Sequence, residues 1–306
     1  MLRTSRLAAA LLFATLLALH VAAQQSQPQA PAGDSPSSSD AQTSKSKSLV
    51  WDPPKIDAKL RSSSDASPCD LDKVLAQAGA RATELVENLQ NFTAREQIDY
   101  RTFGAGGFGD NRGGGSASFD YTATLARRGS SFVVKESRRV TQAAMEFPLE
   151  NQDIGMPEMA LIFHPDLRPD YDMKCEAATN WKDRAAWIIS FRQRKDRPNH
   201  TAAFHTNQRS YPVPLRGRAW IAQHSGVVIH MEIAMMHEIP AVAVREWYLS
   251  IDYASVRFRS KDIVVWLPQS ADTYATFDID RVVVSHTFSD FLLFSVQTSE
   301  QISQPH

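Results

Sequence analysis

Between Leu71 and Phe92 the apolar residues Leu71, Val74, Leu75, Ala78, Ala82, Leu85, Leu89 and Phe92 recur at steps of three and four. That spacing draws one stripe along an α-helix, with Ser67 or Asp70 available to cap its start. Gly79 is a mild flaw in it, costing up to ~1 kcal/mol. The stripe predicts a helix that packs on a sheet.

After this helix the period falls to two. The stretches 93–103, 116–128 and 130–140 alternate apolar and polar residues, and Arg127-Arg128-Gly129-Ser130 forms a turn between the last two. A short helix is expected from Pro157 to Phe163, ended by Pro165. Strands return at Tyr171–Ala177, Ala185–Gln193 and Thr201–Thr206. A hairpin follows, in which "RGRAWIA" and "VVIHMEIAMM" flank Gln223-His224-Ser225-Gly226. The last third holds three longer alternating runs, at 244–258, 262–277 and 280–296. About ten or eleven strands joined by short connections pair antiparallel, and a sheet that wide has to curl. The fold class read from the residues is α+β: a strongly curved antiparallel sheet with an N-terminal helix on its concave side.

The segment "FGAGGFGDNRGGGS", Phe103 to Ser116, holds seven of the chain's 13 glycines, and Gly104, Gly106 and Gly109 spell G-x-G-x-x-G. A phosphate-binding turn of that form follows a buried strand and opens a helix whose N-terminus meets the anion. Here the next element is another strand, so nucleotide binding is set aside. The expectation is a long hairpin loop in which Gly104, Gly106, Phe108 and Gly109 form a flap over a binding face.

The N-terminus adds a compartment. Arg3 and Arg6 precede an apolar run from Leu7 to Ala18, and Val21-Ala22-Ala23 supplies small residues before Gln24. These are the parts of a secretory signal peptide, residues 1–23. The alternative is an N-terminal anchor, for which the run is shorter than the ~20 residues of a span. Residues 24–67 are rich in Gln, Ser, Pro and Ala and read as a disordered linker, with Val50-Trp51 and Ile56 its only sticky points. One folded domain is expected over 68–303. Export, to the periplasm or outside the cell, bears on Cys69 and Cys175, the only two cysteines. In an oxidising compartment they read as a disulfide, two separate buried thiols being the alternative.

Composition narrows the function. A net charge of −1 and the lack of a basic run exclude a general nucleic-acid field. No G-x-S-x-G, H-E-x-x-H, C-x-x-C or S-x-x-K motif stands in a suitable context, so no catalytic set, metal site or cofactor is expected. His230 and Glu232 share a strand face and read as solvated residues rather than metal ligands, and Met231 and Met235 as core or pocket lining. The sequence is richer in apolar strand residues than one helix can cover. Trp187, Phe191, Trp220, Ile229, Met231, Ile233 and Trp247 are the candidate lining of an apolar cavity, the remaining face having to meet a second element, a partner or a hydrophobic ligand.

The hairpin "LRGRAWIAQHSGVVIHMEI" and the C-terminal "VVWLPQSADTYATF…RVVVSHTFSDFLLFSV" resemble the lipoprotein-carrier-like (LolA/LolB-type) superfamily of exported bacterial proteins, as does a helix leading directly into strands. The resemblance covers roughly Cys69 to Thr298. It implies a half-open β-barrel with a hydrophobic cavity and brings no catalytic residues. Two functions stand side by side: a carrier or sensor for a lipid, lipoprotein or other hydrophobic ligand in the cell envelope, and a structural or protein-interaction module whose core is filled by its own side chains.

Overall fold

The computed structural model describes residues 49–59, 68–89, 91–104, 111–128, 131–143, 156–197, 199, 201–205, 209–259, 261–278 and 280–293. All belong to the unit Lys47–His306. Residues 1–23, expected to be a signal peptide, lie outside them.

Among the described residues one α-helix, α1 (Leu71–Asn88), leads into twelve strands. These are β1 (Asn91–Gly104), β2 (Asn111–Arg128), β3 (Ser131–Ala143), β4 (Tyr171–Trp181), β5 (Arg184–Gln193), β6 (Ala203–His205), β7 (Ser210–Pro212), β8 (Leu215–Ala222), β9 (Val228–Met235), β10 (Val244–Phe258), β11 (Ile263–Phe277) and β12 (Asp280–Leu293). Ten of them form one sheet in the order β3-β2-β1-β12-β11-β10-β9-β8-β5-β4, and β6 and β7 pair separately. Every ladder is antiparallel. Among the described residues β3 and β4 are not paired with each other, so the sheet does not close. This is the fold class that alternation and short connections imply.

Asp70 caps α1, accepting from the Lys73 N–H at 3.2 Å. Val74, Leu75, Ala78, Ala82 and Leu85 are buried on the sheet. The helix ends at Asn88, and Leu89 donates its N–H back to the Leu85 carbonyl. The apolar spacing runs on in sequence to Phe92. That residue is buried as well, but in β1, where it pairs with Ala123. The Cys69–Cys175 disulfide ties the residue before the cap to edge strand β4.

Alternation sorts the strands into an inner face, under α1, and an outer face. Leu215, Ala219 and Ile221 of β8, Met231 and Ile233 of β9, and Trp247, Leu249 and Ile251 of β10 join α1 in the main core. The helix alone does not cover this face. The connection from β3 to β4 joins opposite edges of the sheet, and within it a 3-10 segment, Met156–Phe163, lies in the same core. Its Met159, Leu161, Ile162 and Phe163 are at most 1% exposed. Gly79 lets α1 approach this segment: a Cβ there would stand 3.2 Å from the Phe163 carbonyl oxygen. The flaw in the helix is therefore a close contact. Between β5 and β8, Phe204 and Val213 add further internal cover.

The glycine-rich stretch differs from the expected loop. β1 continues to Gly104 and β2 begins at Asn111, with Thr102, Arg101 and Tyr100 opposite Gly113, Gly114 and Gly115. The three consecutive glycines are strand residues, and the Tyr100 ring covers Gly115, where a Cβ would come within 2.8 Å of it. An aromatic ring lying across a strand glycine restores the packing the missing side chain forgoes. Gly104 is buried at the end of β1. Gly106, Phe108 and Gly109 lie outside the described residues. The strand expected at Thr201–Thr206 is the shorter β6, paired with β7.

Residues 49–59 fall inside the stretch read as a linker, yet they lie on the outer face. Ile56 is 8% exposed, and the Trp51 ring meets Tyr274 edge-on at 5.8 Å. Val50, the other sticky point, is 58% exposed.

Candidate functional site

The seven cavity candidates divide between the faces. Phe191, Met231, Ile233 and Trp247 are buried in the main core, with Trp187 packed against it. Trp220 and Ile229 belong to a smaller outer cluster with Ala177, Ala186, Ile188 and Val227. A register shift between Trp220 and Ile221 explains the split: Trp220 faces His230 while Ile221 faces Val228, leaving Ile229 as the extra residue. Such a bulge turns two successive side chains the same way. Counting back by twos from Met231 puts Ile229 inside; the bulge puts it outside.

The inner bed beneath α1 is packed. The void beside Trp247, Phe204 and Val213 is about 10 Å³, at the lower limit for a single water. The larger space lies further along the helix. A groove of about 290 Å³ opens between α1 and strands β9 to β11, close to the ~300 Å³ lower end of small-molecule pockets. Ala78, Ala82 and Leu85 of α1 form one wall, and Val228, Val264, Val265 and Trp266 contribute to the other. Arg81, Glu84, Asn88 and Ser225 supply polar groups to the lining. None of the seven candidates lines it.

The helix side of the groove is fixed by local chemistry. The Arg81 Nε donates to the Ser225 carbonyl at 2.8 Å, and its guanidinium pairs with Glu84 at 2.6 Å. Gly226 ends the β8–β9 turn with φ +69°, and a Cβ there would stand 2.7 Å from the Gln77 Cβ. The turn thus sits directly on α1, and only glycine combines that φ with that contact. Val264, on the opposite wall, is 58% exposed. It adds a large aliphatic side chain, open to solvent, to the lining of the groove.

Two polar clusters lie elsewhere on the sheet. On the outer face the His230 Nδ1 stands 2.9 Å from Asp252, the ring stacks on Trp181 at 3.9 Å and meets Trp220 edge-on at 4.8 Å. His230 is 3% exposed, so the solvated residue expected there is a buried one. Burial disfavours its charged form, but the hydrogen bond to Asp252 and the Glu232 carboxylate 3.8 Å from its Nε2 outweigh this and raise its pKa. Asp252 is pushed down to about 2: burial opposes the shift, and His230 and Lys182 drive it.

On the inner face Glu96 is fully buried. Burial alone would raise its pKa; His286 at 2.8 Å and Arg138 at 2.7 Å hold it below the usual range instead. Tyr121 donates to Glu136 at 2.6 Å beside them. Arg138 faces both carboxylates, and each accepts at least one further contact, from Tyr121 or His286, as buried ions require. Among the described residues no group of three or more His, Cys, Asp or Glu could hold a metal ion, and no helix is long and apolar enough to cross a membrane.

No family profile matches the chain, and no curated protein matches its sequence. Solved structures are similar to it in fold. A DUF1329 family protein from Desulfovibrio piger aligns at 9% identity and TM-score 0.40, over 76% of this chain and 96% of that one. A LolA superfamily protein from Nitrosomonas europaea aligns at 10% identity and TM-score 0.33, over 75% and 96%. A putative outer membrane lipoprotein-sorting protein domain from Vibrio parahaemolyticus aligns at 7% identity and TM-score 0.38, over 75% and 95%.

Proposed function

We propose that this is an exported, non-catalytic binding protein of the cell envelope, and that the groove beside α1 takes a hydrophobic ligand such as a lipid or the acyl chain of a lipoprotein. The observation that carries the reading is the groove itself: about 290 Å³, with aliphatic and Trp266 walls, and Arg81, Glu84 and Asn88 on the helix. Apolar walls with a few fixed polar groups are what an amphiphile requires: the chain leaves water and the head stays at the surface. The buried Phe191, Met231, Ile233 and Trp247 serve in this reading as the rigid bed under α1, and Trp187 packs at its margin. Trp220 and Ile229 play no part in the groove.

One observation favours the second reading, an interaction module with a self-filled core. The 3-10 segment Met156–Phe163 occupies inner-face space that a ligand would otherwise take. Native mass spectrometry of protein purified from its own envelope separates the two. A co-purified acyl species, released on unfolding, supports the carrier. An apo mass, together with no uptake of added fatty acid or phospholipid, leaves the interaction module.

A further inference from the structure

The groove beside α1 is bounded at one end and beneath, and two measures of its size agree. Its lining runs along the helix from Ala78 to Asn88. Those ten residues, at 1.5 Å each, make roughly 15 Å. A fully extended chain advances at most about 3.6 Å for every three bonds, so this length takes about twelve carbons. The volume gives a similar figure. At ~30 Å³ for each methylene, about the share of one water in the liquid, a space of about 290 Å³ holds about ten.

The β8–β9 turn bounds one end. Gly226 lies against Gln77 with no room for a Cβ, and the Ser225 carbonyl is held by the Arg81 Nε at 2.8 Å. Beneath, the bed is packed. Tyr253 is buried, and its hydroxyl meets the Met231 Sδ at 3.6 Å. Ala160 belongs to the 3-10 segment in which Met159, Leu161 and Ile162 are at most 1% exposed. A chain that fills the groove therefore has no deeper space to enter. The polar rim is spent on itself. The Arg81 guanidinium pairs with Glu84 at 2.6 Å, and the Asn88 side-chain amide donates to the Glu84 carbonyl at 2.8 Å. Arg81 and Glu84 cancel in charge, and both are half-exposed, where water and salt screen them. The rim brings no net charge to a head group.

Resting on the reading of the groove as a site for a hydrophobic ligand, we propose that it is a gauge of chain length: it takes one straight alkyl or acyl chain to a depth of about ten to twelve carbons, and it is indifferent to the head group. Each methylene that enters leaves water and strengthens binding about fourfold. Each one beyond the groove stays in water and adds nothing. Lipids whose two or three chains must be sheltered together exceed this volume. The ligand class is an amphiphile with a single chain of medium length.

The test uses the full chain carrying a fluorescent fatty acid, displaced by straight-chain carboxylates and by alkyltrimethylammonium ions with chains of roughly six to fourteen carbons, all below their micelle concentrations. Affinity is expected to rise about fourfold per carbon up to about ten to twelve carbons and then to level off, the two head groups agreeing within about fivefold at each length. Ala160→Leu puts three more carbons into the lining and is expected to move the break to shorter chains. Val264→Trp, at a position 58% exposed, does the same should the first variant lose its fold. The gauge is overturned if affinity shows no break near that length, if the head groups differ by more than about fivefold, or if the break stays in place in a folded variant. Any of these with saturable binding leaves the hydrophobic-ligand reading standing without the gauge. Failure of the fluorescent fatty acid itself to bind removes both.

Discussion

His230 and Asp252 sit opposite one another on β9 and β10, imidazole Nδ1 to carboxylate at 2.9 Å, under the indole of Trp181. The pair fixes the sign of the pH dependence. The folded pKa of His230 is raised, so its contribution is fully present below the ordinary histidine value and is lost as pH rises through the raised one. Asp252 is lowered to about 2, so its contribution is present above the ordinary carboxylate range and is lost as pH falls through about 2. The melting temperature should fall as pH rises above the ordinary histidine value, and Asp252→Asn should flatten that fall. An unchanged slope in the variant counts against the pair.

Cys69 and Cys175 close a loop of 106 residues and tether the start of α1 to an edge strand. The chain-entropy model values such a loop at about 4–5 kcal/mol, or roughly 10–20 °C in melting temperature for a domain of this size. Reduction, or Cys69→Ser with Cys175→Ser, should lower the midpoint by that order. Thiol counting on unfolded, unreduced protein should find none.

The contact between Gly226 and Gln77 locates the β8–β9 turn on α1. Gly226→Ala adds a Cβ 2.7 Å from Gln77 in a left-handed backbone. It should cost about 1–3 kcal/mol, and should also move the Ser225 carbonyl that Arg81 holds at one end of the groove. Denaturant unfolding measures the first effect; the emission of Trp266, which lines the groove, reports the second.

Particular residues show how far the sequence reaches. The alternation of Trp247, Leu249 and Ile251 identifies β10 and its buried face together, because a side-chain period of two leaves no other assignment. Ile229 defeats the same logic, since a bulge has no signature in apolar spacing alone. The glycines at 113–115 suggest a loop, and only the distant Tyr100 explains why they can be strand. Ala78 and Ala82 read as helix packing, and nothing local reveals that their small size opens a groove against Val264 and Trp266. Trp51 stands out in a polar stretch, but Tyr274 and Arg281, which meet its ring, lie near the other end of the chain. Both cases rest on contacts across long sequence separations, which a one-dimensional pattern does not carry.

The most direct measurement of the central claim is titration of wild type and Val264→Asp with a fluorescent fatty acid. Val264 is 58% exposed and lies in the lining, so an added charge should leave the melting temperature within about 0.5 kcal/mol of stability, while burying a ligand against that charge costs several kcal/mol. The account predicts saturable binding by the wild type and at least a tenfold loss in the variant. Absence of binding by the wild type, or equal binding by both, contradicts it.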